Sequence, residues 1–203
     1  AEESAVAPAD DRSWDISNNP TWFIAPIDGT TNFAHGLPIF CVSIGIAYEG
    51  RAVVGAIYSP LQDEHVSAAE GQGGHRTPQR RRPLTGLPLA DAIVGMDWAQ
   101  APQPRFSVRQ IIGLLAPRCR TTRVLGSAAL GLAYVALGRV HLYTNVGLKP
   151  WDIAAGAVIL REVGADIQQP DGSRWQLGEP AVIAAHPALL AEVAGLVRGQ
   201  AAD

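Results

Sequence analysis

The chain has 203 residues, of which 47% are hydrophobic, and a formal net charge of −3 at pH 7. That length suits one domain, and the hydrophobic content argues against a disordered protein. The weak negative charge gives no support for nucleic-acid binding. No stretch of about 18 apolar residues occurs, so we expect no membrane partner either.

The first half of the chain has the pattern of an antiparallel meander. After a loop over 4–20, the apolar run TWFIA predicts a strand that stops at Ala25-Pro26. Two apolar, partly β-branched runs on either side of Glu49-Gly50 predict a β-hairpin. The segment EHVSAAEGQGG predicts one further strand.

The second half mixes helical and strand patterns. Helices are predicted from FSVRQIIGLLAP, from the small and apolar run SAALGLAYVALGRV, from PWDIAAGAVILREVGA and from HPALLAEVAGLVRG. Short strands are predicted from AIVGMD, CRTTRVLG, VHLYT, ADIQQ and AVIAA. Because strands and helices do not alternate strictly, the pattern favours an α+β fold built from layers of sheet and helix.

Cys41 and Cys119 lie far apart and show no metal-ligand spacing. We therefore expect two buried, reduced thiols in a cytoplasmic protein. The arginine run 80–82, with Arg76 nearby, is interpreted as a solvated loop.

Asp28, Gly29 and Thr30 lie in the motif PIDGTTNF. A carboxylate suits a hard cation such as Mg²⁺, and consecutive N–H groups at Gly29 and Thr30 suit a phosphate. The alternative is an Asx-turn in which Thr30 caps a helix. Local physics does not separate the two interpretations.

Asp152 lies in a second motif, KPWDIAAG, near the start of a predicted helix. Its charge would be stabilised there by the helix dipole, so a purely structural role is the simpler interpretation. An acidic pair, Glu2-Glu3, precedes the first loop and carries no information by itself.

Taken in order, these elements resemble the inositol monophosphatase family of Mg²⁺-dependent phosphatases. The shared pattern is EE, then WFI-x-PIDGTTNF, VSIGIAY, GSAA, PWDIAAG and REVGA, and it extends from residue 1 to about 196. The resemblance implies a layered α/β sandwich of the sugar-phosphatase type, with alternating helix and sheet layers. It also implies a homodimer.

The resemblance assigns roles residue by residue. The implied Mg²⁺ ligands are Glu2, the backbone carbonyl of Ile27, Asp28 and Asp152. The implied catalytic residues are Glu2, Asp28 and Thr30, the last of which orients the attacking water. The implied substrate-binding residues are Ile27, Asp28, Gly29, Thr30, Gly126, Ser127, Ala128, Asn145 and Asp152.

Three features depart from the family pattern. Ala25 stands where the family has the first Asp of DPIDGT, a carboxylate that bridges two metals. The family's leading helical segment has no counterpart, so 1–203 is expected to be a single but N-terminally incomplete domain. Asn145 stands where inositol-specific members have a glutamate, and an amide both donates and accepts hydrogen bonds.

The resulting expectation is a Mg²⁺-dependent phosphomonoesterase that hydrolyses inositol monophosphate or a related small phosphate ester by two-metal water attack. Ala25 is expected to impair this form, either as an engineered single change or in a natural pseudoenzyme. The first alternative is a related phosphatase acting on a nucleotide bisphosphate, fructose bisphosphate or histidinol phosphate. The second is a non-catalytic protein that binds phosphate.

Overall fold

A computed structural model describes residues 19–76, 86–97 and 102–200 of the chain. Glu2 and the arginine run 80–82 lie outside these residues. The strands are β1 Thr21–Asp28, β2 Cys41–Tyr48, β3 Arg51–Ser59, β4 Glu64–Ala69, β5 Gly73–Arg76, β6 Ile93–Met96, β7 Thr121–Val124, β8 Leu142–Val146, β9 Asp166–Gln168 and β10 Ala181–Ala185. The helices are α1 Thr30–Ala34, α2 Pro102–Leu115, α3 Ala128–Ala136, α4 Pro150–Glu162 and α5 Pro187–Gln200, with a 3₁₀ turn at Leu89–Asp91.

The first sheet is the predicted antiparallel meander, with strand order β1-β2-β3-β4-β5. Its β2–β3 hairpin pairs Tyr48 with Arg51, which leaves Glu49 and Gly50 as a two-residue turn. Both turn residues have positive φ, 48° and 76°. A type I′ turn requires this conformation, so the Glu49-Gly50 hairpin prediction is confirmed.

Two strand boundaries in this sheet differ from the prediction. β1 does not stop at Ala25-Pro26 but continues to Asp28, with an irregular register between Ala25 and Asp28. Because β1 is an edge strand, the missing N–H of Pro26 removes no ladder hydrogen bond that the sheet needs. The segment predicted as one strand over 64–74 is instead the β4–β5 hairpin.

The second sheet is mixed, with strand order β7-β6-β8-β10-β9. β6 runs parallel to both β7 and β8, whereas β10 pairs antiparallel with β8 and β9. Parallel β6 and β8 bring their carboxyl ends to the same edge of the sheet. Asp97 and Asn145 lie at that edge, which is where α/β sheets commonly bind ligands.

Helices α3 and α4 form a layer between the two sheets. α4 contacts β2, β3 and β4 on one side and β9 on the other, and α3 packs against α4 and β8. The approach of α4 to the first sheet is close, since a Cβ on Gly55 would lie 2.3 Å from the carbonyl oxygen of Ala155. α2 and α5 cover the outer face of the second sheet through β8 and β10. This order of layers confirms the α+β sandwich.

Burial agrees with most of the predictions made for individual segments. Every residue of α3 except Tyr134 is buried, as the small and apolar sequence of this helix predicts. The Cys41 thiol is free and buried, but Cys119 is only partly buried, so the prediction of two buried thiols holds for one. Within the described part of the chain, no helix combines the length and apolar character needed to cross a membrane.

Candidate active site

The end of β1 leads into a tight turn at Gly29. The φ of Gly29 is +91°, and a Cβ there would lie 2.8 Å from the carbonyl oxygen of Ile39. Both observations require glycine. Gly29 is the N-cap of α1, without a side-chain cap hydrogen bond, so Thr30 is the exposed first helical residue. The alternative in which Thr30 caps the helix is therefore wrong.

The carboxylate of Asp28 lies at the start of α3. Its Oδ2 atom accepts hydrogen bonds from the hydroxyl of Ser127 and from the backbone N–H of Ala129, the latter at 3.0 Å. Ser127 is also the N-cap of α3 and accepts from the N–H of Leu130. The positive end of the helix dipole and two donors thus stabilise the negative charge of Asp28.

Cys41 also lies beside Asp28, because its Sγ atom lies 3.9 Å from Oδ2 and the two residues are register partners of β1 and β2. Burial, and secondarily the charge of Asp28, raise the pKa of the Cys41 thiol well above its usual range. The protonated thiol is therefore a further weak donor to the carboxylate.

The Gly126 turn is held from two sides. Nδ2 of Asn32 donates to the carbonyl of Leu125 at 2.8 Å and to that of Ile39 at 2.7 Å. Oδ1 of Asp97 accepts from the N–H groups of Leu125, at 2.8 Å, and Gly126. Asn32 and Asp97 were not among the predicted site residues, although Asn32 lies inside PIDGTTNF and Asp97 ends a predicted strand.

Tyr143 connects Asp97 to Asn145. The Tyr143 hydroxyl donates to Oδ2 of Asp97 at 2.5 Å and accepts from Nδ2 of Asn145 at 3.2 Å. Oδ1 of Asn145 accepts from the N–H of Val146 at 2.7 Å. Burial and the nearby Asp97 charge raise the pKa of Tyr143, so the phenol stays protonated. Tyr143 gave no signal in the sequence beyond its place in a predicted strand.

Asp152 lies in the first turn of α4, where its Oδ2 accepts from the N–H of Lys149 at 2.8 Å. Asp152 therefore has the structural role predicted for it, since it stabilises the first turn of α4. The same turn reaches the first sheet, because the Ser43 hydroxyl lies 3.4 Å from the carbonyl oxygen of Trp151. Ser43 is the register partner of Ala25, so the turn that carries Asp152 packs beside Ala25.

The side chain of Ala25 is completely buried. The chemistry of the donor set at this end of the sheet, two carboxylates and the Ile27 carbonyl, suits Mg²⁺. Ala25 adds no oxygen ligand to this set, because its side chain is a methyl group. Among the described residues, no three His, Cys, Asp or Glu side chains cluster in a way that could hold a metal.

The fold thus brings several predicted site residues into contact. A Cβ on Gly29 would lie 3.2 Å from both the carbonyl oxygen of Gly126 and the Cβ of Ser127, which joins the two predicted turns. Ser127, Ala128 and Asn145 are buried, and the side chains of Ser127 and Asn145 donate to Asp28 and Tyr143. The arrangement is a hydrogen-bonded, anionic end of two sheets whose carboxylates suit a cation and whose turn at Gly29 and Thr30 suits a phosphate.

Comparison with known proteins gives a consistent result. The family model described as the inositol monophosphatase family matches residues 1–201. Inositol monophosphatase 1 of Solanum lycopersicum is 35% identical over 192 residues, which are 93% of this chain and 69% of that protein. Nus factor SuhB of Escherichia coli K12 is 36% identical over 183 residues, 90% of this chain and 68% of that protein.

Solved structures agree with the sequence relatives. SaIMPase-II with inositol monophosphate bound superimposes with a TM-score of 0.82 at 31% identity, over 91% of this chain and 71% of that one. The same values hold for SaIMPase-II with 2'AMP bound. The two complexes show that one related protein binds phosphate esters of chemically different alcohols.

Proposed function

Because the chain belongs to the inositol monophosphatase family, we propose that it is a Mg²⁺-dependent phosphomonoesterase whose activity is impaired by Ala25. The supporting observation is that PIDGTTNF and the GSAA turn, far apart in sequence, meet at Asp28 and Gly29. The substrate class is a small phosphate ester, in keeping with the two ligands bound by SaIMPase-II.

The residues of the chain have distinct tasks in this proposal. The N–H groups of Gly29 and Thr30 bind the phosphate, and the Thr30 hydroxyl orients a water molecule. Asp28, Asp152, the Ile27 carbonyl and Glu2 would hold the metal. When bound, Mg²⁺ neutralises phosphate charge and lowers the pKa of a coordinated water. Gly126, Ser127, Ala128 and Asn145 line the place of the alcohol part.

Ala25 weakens this site for an electrostatic reason. Two dications held close together would repel each other strongly, and a carboxylate at position 25 would offset much of that repulsion. A methyl group offers no charge and no oxygen. We therefore expect one metal position to be poorly occupied, with a loss of ~10³-fold in turnover, which corresponds to about 4 kcal/mol.

The test is steady-state hydrolysis of inositol 1-phosphate and a panel of other phosphomonoesters, with and without Mg²⁺. The Ala25→Asp variant should turn over substrate about 10³-fold faster than the parent chain. Ala25→Asn is the matched control, since it adds a similar volume without the charge, and it should restore little. No hydrolysis by Ala25→Asp refutes the phosphatase assignment, and equal rates in parent and variant refute the impairment.

A second candidate is a non-catalytic protein that binds phosphate, and the buried methyl of Ala25 is the observation that favours it. Under this alternative the parent binds phosphate esters while Ala25→Asp gains no activity. The same hydrolysis assay, combined with calorimetric titration of inositol 1-phosphate, separates the two functions.

We further propose that the protein is a homodimer. Two large apolar side chains, Trp22 and Ile24, lie on the outward face of the edge strand β1, with relative exposures of 60% and 49%, and adjacent exposed apolar groups are typical of an interface. Light scattering at micromolar concentration tests the assembly, and a monomeric mass would refute it.

A further inference from the structure

We propose that Asp97 and Tyr143 are positioning residues that orient the amide of Asn145, so that its N–H is presented to a hydroxyl of the substrate's alcohol part. This inference rests on the proposed function. It adds recognition of the alcohol part of the substrate to the proposed binding of its phosphate. Neither residue is expected to touch the substrate.

The first step is the direction of the hydrogen bond between Asp97 and Tyr143. An ionised carboxylate only accepts hydrogen bonds, and Asp97 already accepts from the N–H groups of Leu125 and Gly126. The Tyr143 hydroxyl, 2.5 Å from Oδ2 of Asp97, must therefore be the donor. The single hydroxyl hydrogen of Tyr143 is used in this bond, so the hydroxyl oxygen can only accept hydrogen bonds from other groups.

The second step follows at Asn145. Because the Tyr143 oxygen can only accept, the amide group of Asn145 must turn its Nδ2 atom toward it, at 3.2 Å. Oδ1 of Asn145 then faces the N–H of Val146, at 2.7 Å. Two independent contacts thus select the same amide orientation. An amide nitrogen carries two hydrogens, and fixing one also fixes the direction of the second.

The third step connects this orientation to the rest of the site. The same Asp97 carboxylate holds the N–H of Gly126, and the next residue, Ser127, donates to Asp28. Asn145 and the Gly126–Ser127 turn are therefore fixed relative to each other by one buried carboxylate. Asn145 lies near the end of β8, beside the end of β6 that leads into Asp97. Gly29, where the proposed function places the phosphate, lies beside this turn, because a Cβ on Gly29 would lie 3.2 Å from the carbonyl oxygen of Gly126. The inference therefore places the hydroxyls of a polyol phosphate next to the turn, at Asn145.

A simple structural role for Asp97 and Tyr143 would affect all ligands alike. A positioning role affects a ligand that has hydroxyl groups and spares one that has none. The discriminating pair is inositol 1-phosphate and inorganic phosphate, titrated by calorimetry into the unsubstituted chain and its variants with Mg²⁺ present. The unsubstituted chain should bind the ester more tightly than phosphate.

Tyr143→Phe removes the hydroxyl and keeps the ring. We expect it to weaken inositol 1-phosphate binding about fivefold to tenfold, the size of one hydrogen bond, with inorganic phosphate unchanged. Tyr134→Phe is the matched control, because its hydroxyl contacts Gln62 instead, and it should change neither ligand.

Asp97→Asn provides a second, differently designed variant. Its amide can still accept from Gly126, but its nitrogen would donate to the Tyr143 oxygen and reverse that bond. Asn145 would then have to accept from Tyr143, which turns the amide over. The same selective loss of the ester is expected.

Equal weakening of both ligands, no change in either, or no preference for the ester in the unsubstituted chain would overturn the proposal. Failure of Ala25→Asp to hydrolyse esters, with the selective loss still seen, would overturn the phosphatase assignment and leave this inference intact.

Discussion

The backbone N–H of Ala129 lies 3.0 Å from Oδ2 of Asp28, so the first turn of α3 holds the carboxylate that ends β1. These two residues are 101 positions apart in the sequence. In the proposed metal site, Asp28 is therefore already oriented in the absence of a cation. A ligand that is already oriented loses less conformational entropy on binding than a mobile one.

Ser127→Ala should destabilise the protein, because Ser127 both caps α3 and donates to buried Asp28. Loss of the cap and of a hydrogen bond to a charged group should lower the free energy of unfolding by about 2–3 kcal/mol. Urea denaturation followed by circular dichroism measures the change. Ser43→Ala is the matched control, since Ser43 is equally buried but contributes one long hydrogen bond to Trp151. Equal losses in both variants would contradict the special role of Ser127.

Gly29→Ala should be more destabilising than Gly36→Ala. Both glycines have positive φ, +91° and +72°, so alanine is strained at either position by about 1–2 kcal/mol. A Cβ on Gly36 meets nothing within 4 Å, whereas one on Gly29 would lie 2.8 Å from a backbone oxygen. The clash should add about 1–3 kcal/mol to the unfolding difference. Similar urea unfolding midpoints for the two variants would show that the backbone at Gly29 adjusts to the added Cβ without loss of stability.

Mg²⁺ should stabilise the Ala25→Asp variant and have a smaller effect on the parent chain. In the presence of a metal chelator, a carboxylate at this fully buried position should lower the free energy of unfolding by about 3 kcal/mol. Mg²⁺ at a concentration one hundred times its Kd should raise the free energy of unfolding of the variant by about 2.7 kcal/mol. Thermal unfolding with chelator and with Mg²⁺ tests both statements, and calorimetry should show weaker but measurable Mg²⁺ binding to the parent. Identical Mg²⁺ responses in the two proteins would contradict a bridging role for position 25.

The stability of the second sheet should depend on the protonation of His141. Its Nδ1 accepts from the N–H of Ile93 at 3.0 Å, and burial lowers the pKa of this imidazole. A lowered pKa means that the unfolded chain binds the proton more readily, so stability is present above the unfolded pKa of about 6.5 and is lost as pH falls.

The matched comparison is His141→Gln, which does not titrate. The parent should lose stability relative to this variant between pH 8 and pH 5, as measured by urea midpoints. A constant difference across that range would show that His141 contributes no pH dependence.

The sequence by itself determined the local elements. Two apolar, partly β-branched runs around Glu49-Gly50 specified a hairpin, because a short turn with glycine between two strand-like runs favours one. The apolar and small residues of α3 specified a buried helix. PIDGTTNF and PWDIAAG identified Asp28 and Asp152 as residues of interest. These signals are readable because turn chemistry and hydrophobic period depend on neighbouring residues only.

Only the tertiary structure decided which groups these residues contact. The end of β1 could not be located from Pro26 alone, because an edge strand tolerates proline and a central strand does not. The roles of Asp97 and Tyr143 depend on β6 and β8 lying side by side, with Asp97 then reaching the Gly126 turn. Hydrogen-bond partners separated by up to 101 residues are selected by packing, and a single sequence carries no local record of that choice.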